Sequence, residues 1–288
     1  MITIFSTPRP FKGIFDNIQR NAIKSWLALK PDCQIILFED EEGTTKKVVD
    51  EFNLEYISDA KRNEFGSLLL DDVLNNVIKR ARNEILVQLA TDDILKSDFI
   101  EAIKKVREGL EEKPFYMIGR RWDVDMEGEI DFQDEKWEEK INELIKRKGK
   151  LHGLSGTDYR VSSKSFDFDP PPLVIGRPGD DSWLVYRARS KGIPVIDATS
   201  VVSVVHQNHG KPHKKKGFFT IETKRNIKLG GGYINMMTIR DADWILTKEG
   251  LRRPPFPRRI LSMLSLFYPW RLMLSTKRNL HSILYGYK

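Results

Sequence analysis

The chain has 288 residues, room for one large α/β domain or one domain with a small appendage. Its 40% hydrophobic and 31% charged residues suit a soluble globular protein rather than a disordered one, and a single cysteine, Cys33, excludes an internal disulfide framework or a Cys-based zinc site. The net charge of +7 favours an anionic partner: a nucleoside diphosphate, an acidic membrane surface or nucleic acid.

The opening MITIFSTPRPFKG has no basic region followed by a long apolar stretch, so neither a signal peptide nor an anchor is expected and a cytoplasmic location fits. No window reaches about 18 apolar residues, the length that a spanning helix needs. Ile2 to Phe5 reads as a short strand ending in the loop Ser6-Thr7-Pro8-Arg9-Pro10. Ile14, Ile18, Ala22, Trp26 and Leu29 recur at helical spacing, and Pro31 closes that helix. Cys33 to Phe38 is a continuous apolar strand, with Cys33 a packed thiol, and it runs into the acidic stretch Glu39 to Glu42. A helix over Thr45 to Phe52 and a strand over Leu54 to Ile57 follow. After the loop Ser58 to Gly66, Leu69, Val73, Val77 and Ala81 mark another helix.

Strand Glu84 to Leu89 then ends in Ala90-Thr91-Asp92-Asp93-Ile94-Leu95. Asp98 and Glu101 read as a capping box for a helix over Phe99 to Leu110, and Phe115 to Ile118 is the next strand. This alternation predicts βα units on a mainly parallel sheet, whose ligands collect at the carboxyl ends of the strands. The polar stretch from Trp122 to Gly149 carries one amphipathic helix (Trp137, Ile141, Leu144, Ile145) and reads as an insertion or lid. Gly156 to Val161 is strand-like, Asp169 to Asp181 is a Pro-rich loop, and Ser182 to Ser190 is a helix. Pro194 to Ile196 is a strand, and Val201 to Val205 is a further strand that delivers His206-Gln207-Asn208-His209.

An apolar strand ending in two aspartates places carboxylates where a hard divalent ion could bridge them to a diphosphate. The bland alternative is that Asp92 and Asp93 cap the next helix, a role for which Asp98 is better placed. Gly179-Asp180-Asp181 stands between a flexible loop and a helix, where Asp is also a preferred cap. The basic run from Lys211 to Gly217 reads either as a loop closing over a diphosphate, with Lys211 as a point charge, or as a solvated surface. Asp241-Ala242-Asp243 lacks an apolar strand before it and reads as a decoy; Gly230 to Gly232 has no phosphate-loop spacing and reads as a turn.

The run of strand, ATDDIL and helix resembles the DxD region of family 2-like GT-A glycosyltransferases. The TPRP loop, the acidic end of the second strand and Asn63-Glu64-Phe65-Gly66 fall where that fold binds its nucleotide. The resemblance covers residues 1 to about 210 and rests on short motifs. It implies a GT-A, Rossmann-like mainly parallel sheet with flanking helices, and Mn²⁺ or Mg²⁺ with a nucleoside-diphosphate sugar, UDP-linked, as donor. Donor contacts would come from Thr7, Pro8, Arg9, Glu39, Asn63, Gly66, Thr91, Asp92 and Lys211. Metal ligands would be Asp92, Asp93 and His206; Asp181 would be the base of an inverting transfer, with Asp180 on the acceptor. The first acid of the DxD pattern falls on Ala90, a departure from the family at the position that contacts the ribose.

The expected division is 1–250 for the catalytic domain, with a nucleotide half (1–120) and an acceptor or lid half (121–250), and 251–288 for a basic amphipathic helical extension. That extension, Ile260 to Phe267 flanked by arginines, suits an interfacial helix on anionic lipid, or packing on the core or another subunit. The acceptor would be a glycan, a lipid-linked molecule or a small molecule, with no nucleic acid expected. A nucleotidyltransferase is the alternative enzyme, although Ser6 to Gly13 lacks its glycine-rich loop, and a basic nucleic-acid or lipid-binding module is the non-enzymatic one.

Overall fold

The computed structural model describes residues 1–154, 157–209, 216–267, 269 and 271–273. Its first elements are β1 (Ile2–Ser6), α1 (Ile14–Ala28), β2 (Gln34–Phe38), α2 (Thr45–Phe52), β3 (Glu55–Ile57) and α3 (Leu70–Arg80). Then come β4 (Ile85–Leu89), β5 (Asp93–Ile94), α4 (Ser97–Gly109), β6 (Tyr116–Gly119), β7 (Arg121–Val124), α5 (Trp137–Lys148) and β8 (Lys150–Leu151). The chain continues through β9 (Tyr159–Ser163), α6 (Asp180–Ser190), β10 (Val195–Asp197), β11 (Val204–Gln207) and α7 (Lys216–Leu229). Last are β12 (Trp244–Thr247), β13 (Gly250–Arg252) and α8 (Arg258–Leu264).

Nine strands form the central sheet in the order β13-β12-β10-β6-β9-β4-β1-β2-β3. Neighbours run parallel except where β9 pairs antiparallel with β4 and β6, and where β13 folds back on β12. Strands β1, β2 and β4 are buried at every position, as continuous apolar runs between two helical layers must be. On one face Ala22 and Trp26 of α1 pack with Phe99 and Val106 of α4; on the other Leu70 and Val73 of α3 pack with Leu184 and Val185 of α6. This is the α/β, mainly parallel architecture expected from the sequence. Ile14, assigned to the buried stripe of α1, is 53% exposed, so that stripe begins at Ile18.

A second sheet, β5-β11-β7-β8, was not foreseen. β11 pairs antiparallel with β5, setting His206 opposite Asp93, and parallel with β7, setting His206 opposite Asp123. The polar stretch read as an insertion or lid builds and covers this sheet: Ile141 and Ile145 of α5 bury against Ile94, Val124 and Val205. The expected strand over Val201 to Val205 starts only at Val204, because Val201 and Val202 turn back with their amides on the Ala198 carbonyl.

The capping box is absent. Lys96 is the N-cap of α4, and Asp98 Oδ2 accepts from the Ser203 amide and the Lys96 ammonium, both at 3.1 Å. Glu138 of α5 supplies the missing cap, accepting from the amide and hydroxyl of Ser97 at 2.8 and 2.7 Å. The boundary expected at 250/251 cuts β13, so Leu251 and Arg252 belong to the central sheet. Cys33 lies just before β2, half-buried against the core, and burial pushes its thiol up to about 11.

Candidate active site

Ser6 and Thr91 join the carboxyl ends of β1 and β4: the Ser6 hydroxyl donates to the Leu89 carbonyl at 2.7 Å and lies 2.7 Å from Thr91 Oγ1. The chain then turns into β5, which leaves the central sheet and carries Asp92 and Asp93 to the second one. Three groups bury that turn. Trp26 Nε1 donates to the Asp93 carbonyl at 2.9 Å, and Gln207 Nε2 donates to the Asp92 carbonyl at 3.2 Å and the Ile18 carbonyl at 2.7 Å. Asn21 Nδ2 in turn donates to Gln207 Oε1 at 3.0 Å, so the aspartates sit on a fixed backbone.

Ligand-capable atoms of Asp92, His206 and His209 lie within 4.8 Å of one another, and this is the one such group among the described residues. His206 Nδ1 is 3.3 Å from Oδ1 of both aspartates, and His209 Nε2 is 3.2 Å from Asp92 Oδ2. Asp92 Oδ1 is buried and accepts no hydrogen bond among the described residues. Burial raises the Asp92 carboxyl, but the two histidines outweigh it and hold the group well below the usual carboxylate range. Burial likewise lowers His206, and the two carboxylates outweigh that, lifting it to about 9. Asp93 is fully buried; burial together with the neighbouring Asp92 raises its carboxyl, and Arg121 of β7 is held charged partly by it. Asp93 therefore stands behind His206, outside the three-residue group, while His209 takes the place the sequence offered to Asp93. The signal for His209 was its spacing of three from His206 just past a strand.

Of the expected donor contacts, Thr7, Pro8 and Arg9 follow β1, and the exposed Arg9 guanidinium lies 5.1 Å from the Phe15 ring centre. Phe15 meets the His209 ring edge-on at 4.9 Å, so Arg9 borders the same site. Glu39 is differently engaged: its carboxylate takes the amides of Asp40 and Thr45 and the Tyr56 hydroxyl. Asp40 Oδ2 takes the amides and hydroxyls of Thr44 and Thr45, anchoring the start of α2. Asn63 shapes its own loop, accepting the Phe65 and Ser67 amides at 2.9 Å each, and Gly66 turns there with φ +81°. Lys211 lies outside the described residues.

Asp180 and Asp181 occupy the first turn of α6, which begins two residues earlier than expected because Gly179 adopts φ +109°. A cleft of about 820 Å³ opens beside them, walled by Arg160, Arg177 and Arg240 and by Leu154, Ile227, Tyr233 and Met236. Burial raises the Asp180 carboxyl to about 6 despite the Arg160 guanidinium 3.5 Å away. Asp181 is only half-buried; one carboxylate oxygen takes the Ser182 amide at 2.7 Å and the other, among the described residues, has only the long contacts of Thr157, at 3.4 and 3.5 Å.

Helix α7 ties the Asn63 loop to the loop before α6 through residues the sequence did not single out. Buried Glu222 accepts from Asn63 Nδ2 at 2.8 Å and from Arg177 at 2.6 Å, and buried Asn226 exchanges hydrogen bonds of 2.7 and 2.9 Å with the Val174 backbone. The spacing of Glu222 and Asn226 by four was the available signal. The literal DxD of 241–243 is structural: Asp241 takes the Thr238 amide at 2.8 Å, and Asp243 pairs with Arg189 at 2.9 Å and Arg253 at 3.2 Å.

No protein-family model and no curated protein sequence matches the chain. Solved structures do. A Staphylococcus aureus TarS fragment (1–349) in complex with UDP-GlcNAc aligns at TM-score 0.55 and 11% identity over 99% of this chain and 76% of that one. The same fragment in complex with UDP aligns at TM-score 0.54 and 12% identity, over 98% and 75%. A Pyrobaculum calidifontis mannosyltransferase in complex with GDP-Man and Mn²⁺ aligns at TM-score 0.47 and 12% identity, over 100% and 76%. At such identities the likeness speaks to architecture. The chain has the GT-A nucleotide-diphospho-sugar transferase fold.

Proposed function

We propose that the protein is a metal-dependent glycosyltransferase that moves a sugar from a nucleoside diphosphate sugar to an acceptor hydroxyl with inversion. The observation that carries this reading is the convergence of Asp92, His206 and His209 beyond the carboxyl end of β4, the edge at which open α/β sheets take their ligands. The donor set fits a divalent ion. One buried carboxylate oxygen has no hydrogen-bond partner, and two imidazoles flank it, a mixed N/O set that suits Mn²⁺ better than Mg²⁺. The TarS fragment holds UDP-GlcNAc on the same fold, so a UDP-sugar is the first donor to test.

Asp92 would hold the ion with His206 and His209, while Asp93 fixes the His206 ring from behind. A bound ion supplies positive charge to the departing diphosphate. Arg9, beside Phe15 and His209, would add a second cation at that end. At the other end the acceptor oxygen attacks the anomeric carbon from the cleft. The new C–O bond forms as the bond to the diphosphate oxygen breaks, and its electron pair leaves with the diphosphate. Asp181 takes the acceptor proton; its half-buried, weakly engaged oxygen is the carboxylate atom free to do so. Asp180, held near Arg160, would position the acceptor.

Thermal unfolding with nucleoside diphosphate sugars, each with and without Mn²⁺, tests the donor and the ion together. A UDP-sugar that stabilises the wild type only with Mn²⁺, and fails to do so in a folded Asp92→Ala variant, is the expected outcome. Normal metal-dependent transfer by that variant overturns the assignment.

A further inference from the structure

The protein's charge is divided unequally along the chain. Residues 250–288 contain eight lysines and arginines and no aspartate or glutamate, which leaves 40 cationic against 41 acidic side chains in the first 249 residues. The whole cationic excess belongs to the last segment.

The described part of that segment is also packed inside out. In α8 and the turn after it, the side chains facing the protein are polar: Ser262 is 2% exposed and Ser265 3%. Ser262 donates to the Asp241 carbonyl at 3.0 Å, and its own carbonyl accepts from Arg189 at 3.0 Å. Arg258 pairs with Asp197 at 2.9 Å and donates to the Ile239 carbonyl at 2.6 Å. Farther on, Arg271 donates to the Ile234 carbonyl at 2.9 Å. The apolar side chains point away from the protein: Phe256 is 77% exposed, Met263 65%, Phe267 60%, Leu261 48%, Ile260 45% and Leu266 41%. A helix at the edge of a water-exposed core normally does the reverse, and a contiguous apolar face rimmed by charge marks a surface meant to be covered.

We propose that this face docks on an anionic lipid bilayer, with Phe256, Met263 and Phe267 entering the boundary between headgroups and acyl chains and Arg252 and Arg259 resting on the headgroup charge. Charge decides the occupant. Arg252 and Arg259 are exposed beside the apolar face, and no acidic residue occurs in 250–288 to receive a second arginine-rimmed copy. Two copies joined through this face would bring cation against cation, whereas anionic lipid satisfies both the apolar face and its rim. No helix among the described residues is long and apolar enough to cross a membrane, so the contact is made at the surface.

The test is co-sedimentation of the full chain with vesicles, and it does not depend on any sugar-transfer activity. Wild-type protein should pellet with phosphatidylglycerol-containing vesicles, stay in solution with pure phosphatidylcholine, and be released by added salt. Because the substituted side chains are exposed, Met263→Glu/Phe267→Glu should keep the wild-type melting temperature while its vesicle affinity falls by about tenfold or more. Unchanged affinity in that folded double variant overturns the proposal. So does wild-type protein that ignores anionic vesicles, including the case in which sedimentation equilibrium shows a dimer that the double variant abolishes.

Discussion

The two sheets of this protein are built on opposite terms. The central sheet gains its order from apolar burial: Ile4, Ile36, Val87, Met117 and Ile196 are each fully enclosed, and no charge is needed to align them. The four-stranded sheet is short, with strands of two to four residues, and carries Asp93, Arg121, Asp123, His206 and Gln207. Its register is set by paired charges and buried amides. Stability is concentrated in the first, and the site chemistry in the second, whose groups would be costly to bury without partners.

The sharpest test of that division is a pair of substitutions expected to have opposite effects. Asp92→Ala should weaken Mn²⁺ binding on the order of 100-fold and lower the metal-free melting temperature only through the lost pairs with His206 and His209; calorimetric titration reads the first and thermal unfolding the second. Phe99→Ala removes a fully buried ring that meets Tyr159 edge-on at 5.5 Å, and should cost about 3–5 kcal/mol of stability with Mn²⁺ affinity retained in the folded fraction. If Phe99→Ala weakened metal binding as much as Asp92→Ala, the division would fail.

Asp93→Asn probes the boundary between the roles. It keeps the shape but removes the charge behind His206, so an affinity loss of about 10-fold is expected, smaller than for Asp92. Gly119→Ala strikes where β6 of one sheet passes toward β7 of the other. A β-carbon there would come within 1.9 Å of the Tyr159 hydroxyl, and the ring can move only by displacing the core, so about 1–3 kcal/mol should be lost in chemical denaturation.

Two further effects are in pH. His206 is raised to about 9 in the folded chain from its ordinary 6.5, so the stability it contributes is complete below 6.5 and is lost as pH rises through 9. Metal must displace that proton, so the Mn²⁺-induced rise in melting temperature should grow across the same window. Asp180 behaves differently: a carboxyl raised from 3.8 to about 6 loses its proton more readily when unfolded, so its contribution falls as pH climbs from about 4 to 6. Asp180→Asn should flatten that slope, and an unchanged profile would refute the assignment.

The same contrast explains what the sequence revealed. β1, β2 and β4 could be read because continuous apolar runs between helical stripes have one solution, and Asp92 could be read because it ends such a run. β5, β7 and β8 are too short for periodicity, and their identity depends on partners far along the chain, such as Asp93 with His206. Helix α5 was read correctly as amphipathic, but nothing local showed that Ile141 and Ile145 would close over an unforeseen sheet. Asp98 looked like a cap because the competing Ser203 amide comes from a distant turn. Glu222 and Asn226 carry little beyond their spacing of four, because polar residues on a helix ordinarily signal solvent, and here both are buried.

The short stretch from Tyr233 to Asp241 faces two ways. Tyr233, Met236, Thr238 and Arg240 wall the cleft beside Asp181, while the carbonyls of Ile234, Ile239 and Asp241 receive Arg271, Arg258 and Ser262 from the C-terminal segment. The segment that carries α8 is therefore joined to the cleft wall by direct hydrogen bonds. If the cleft takes the acceptor and the segment docks as proposed, loosening the segment should raise the acceptor KM before it lowers kcat.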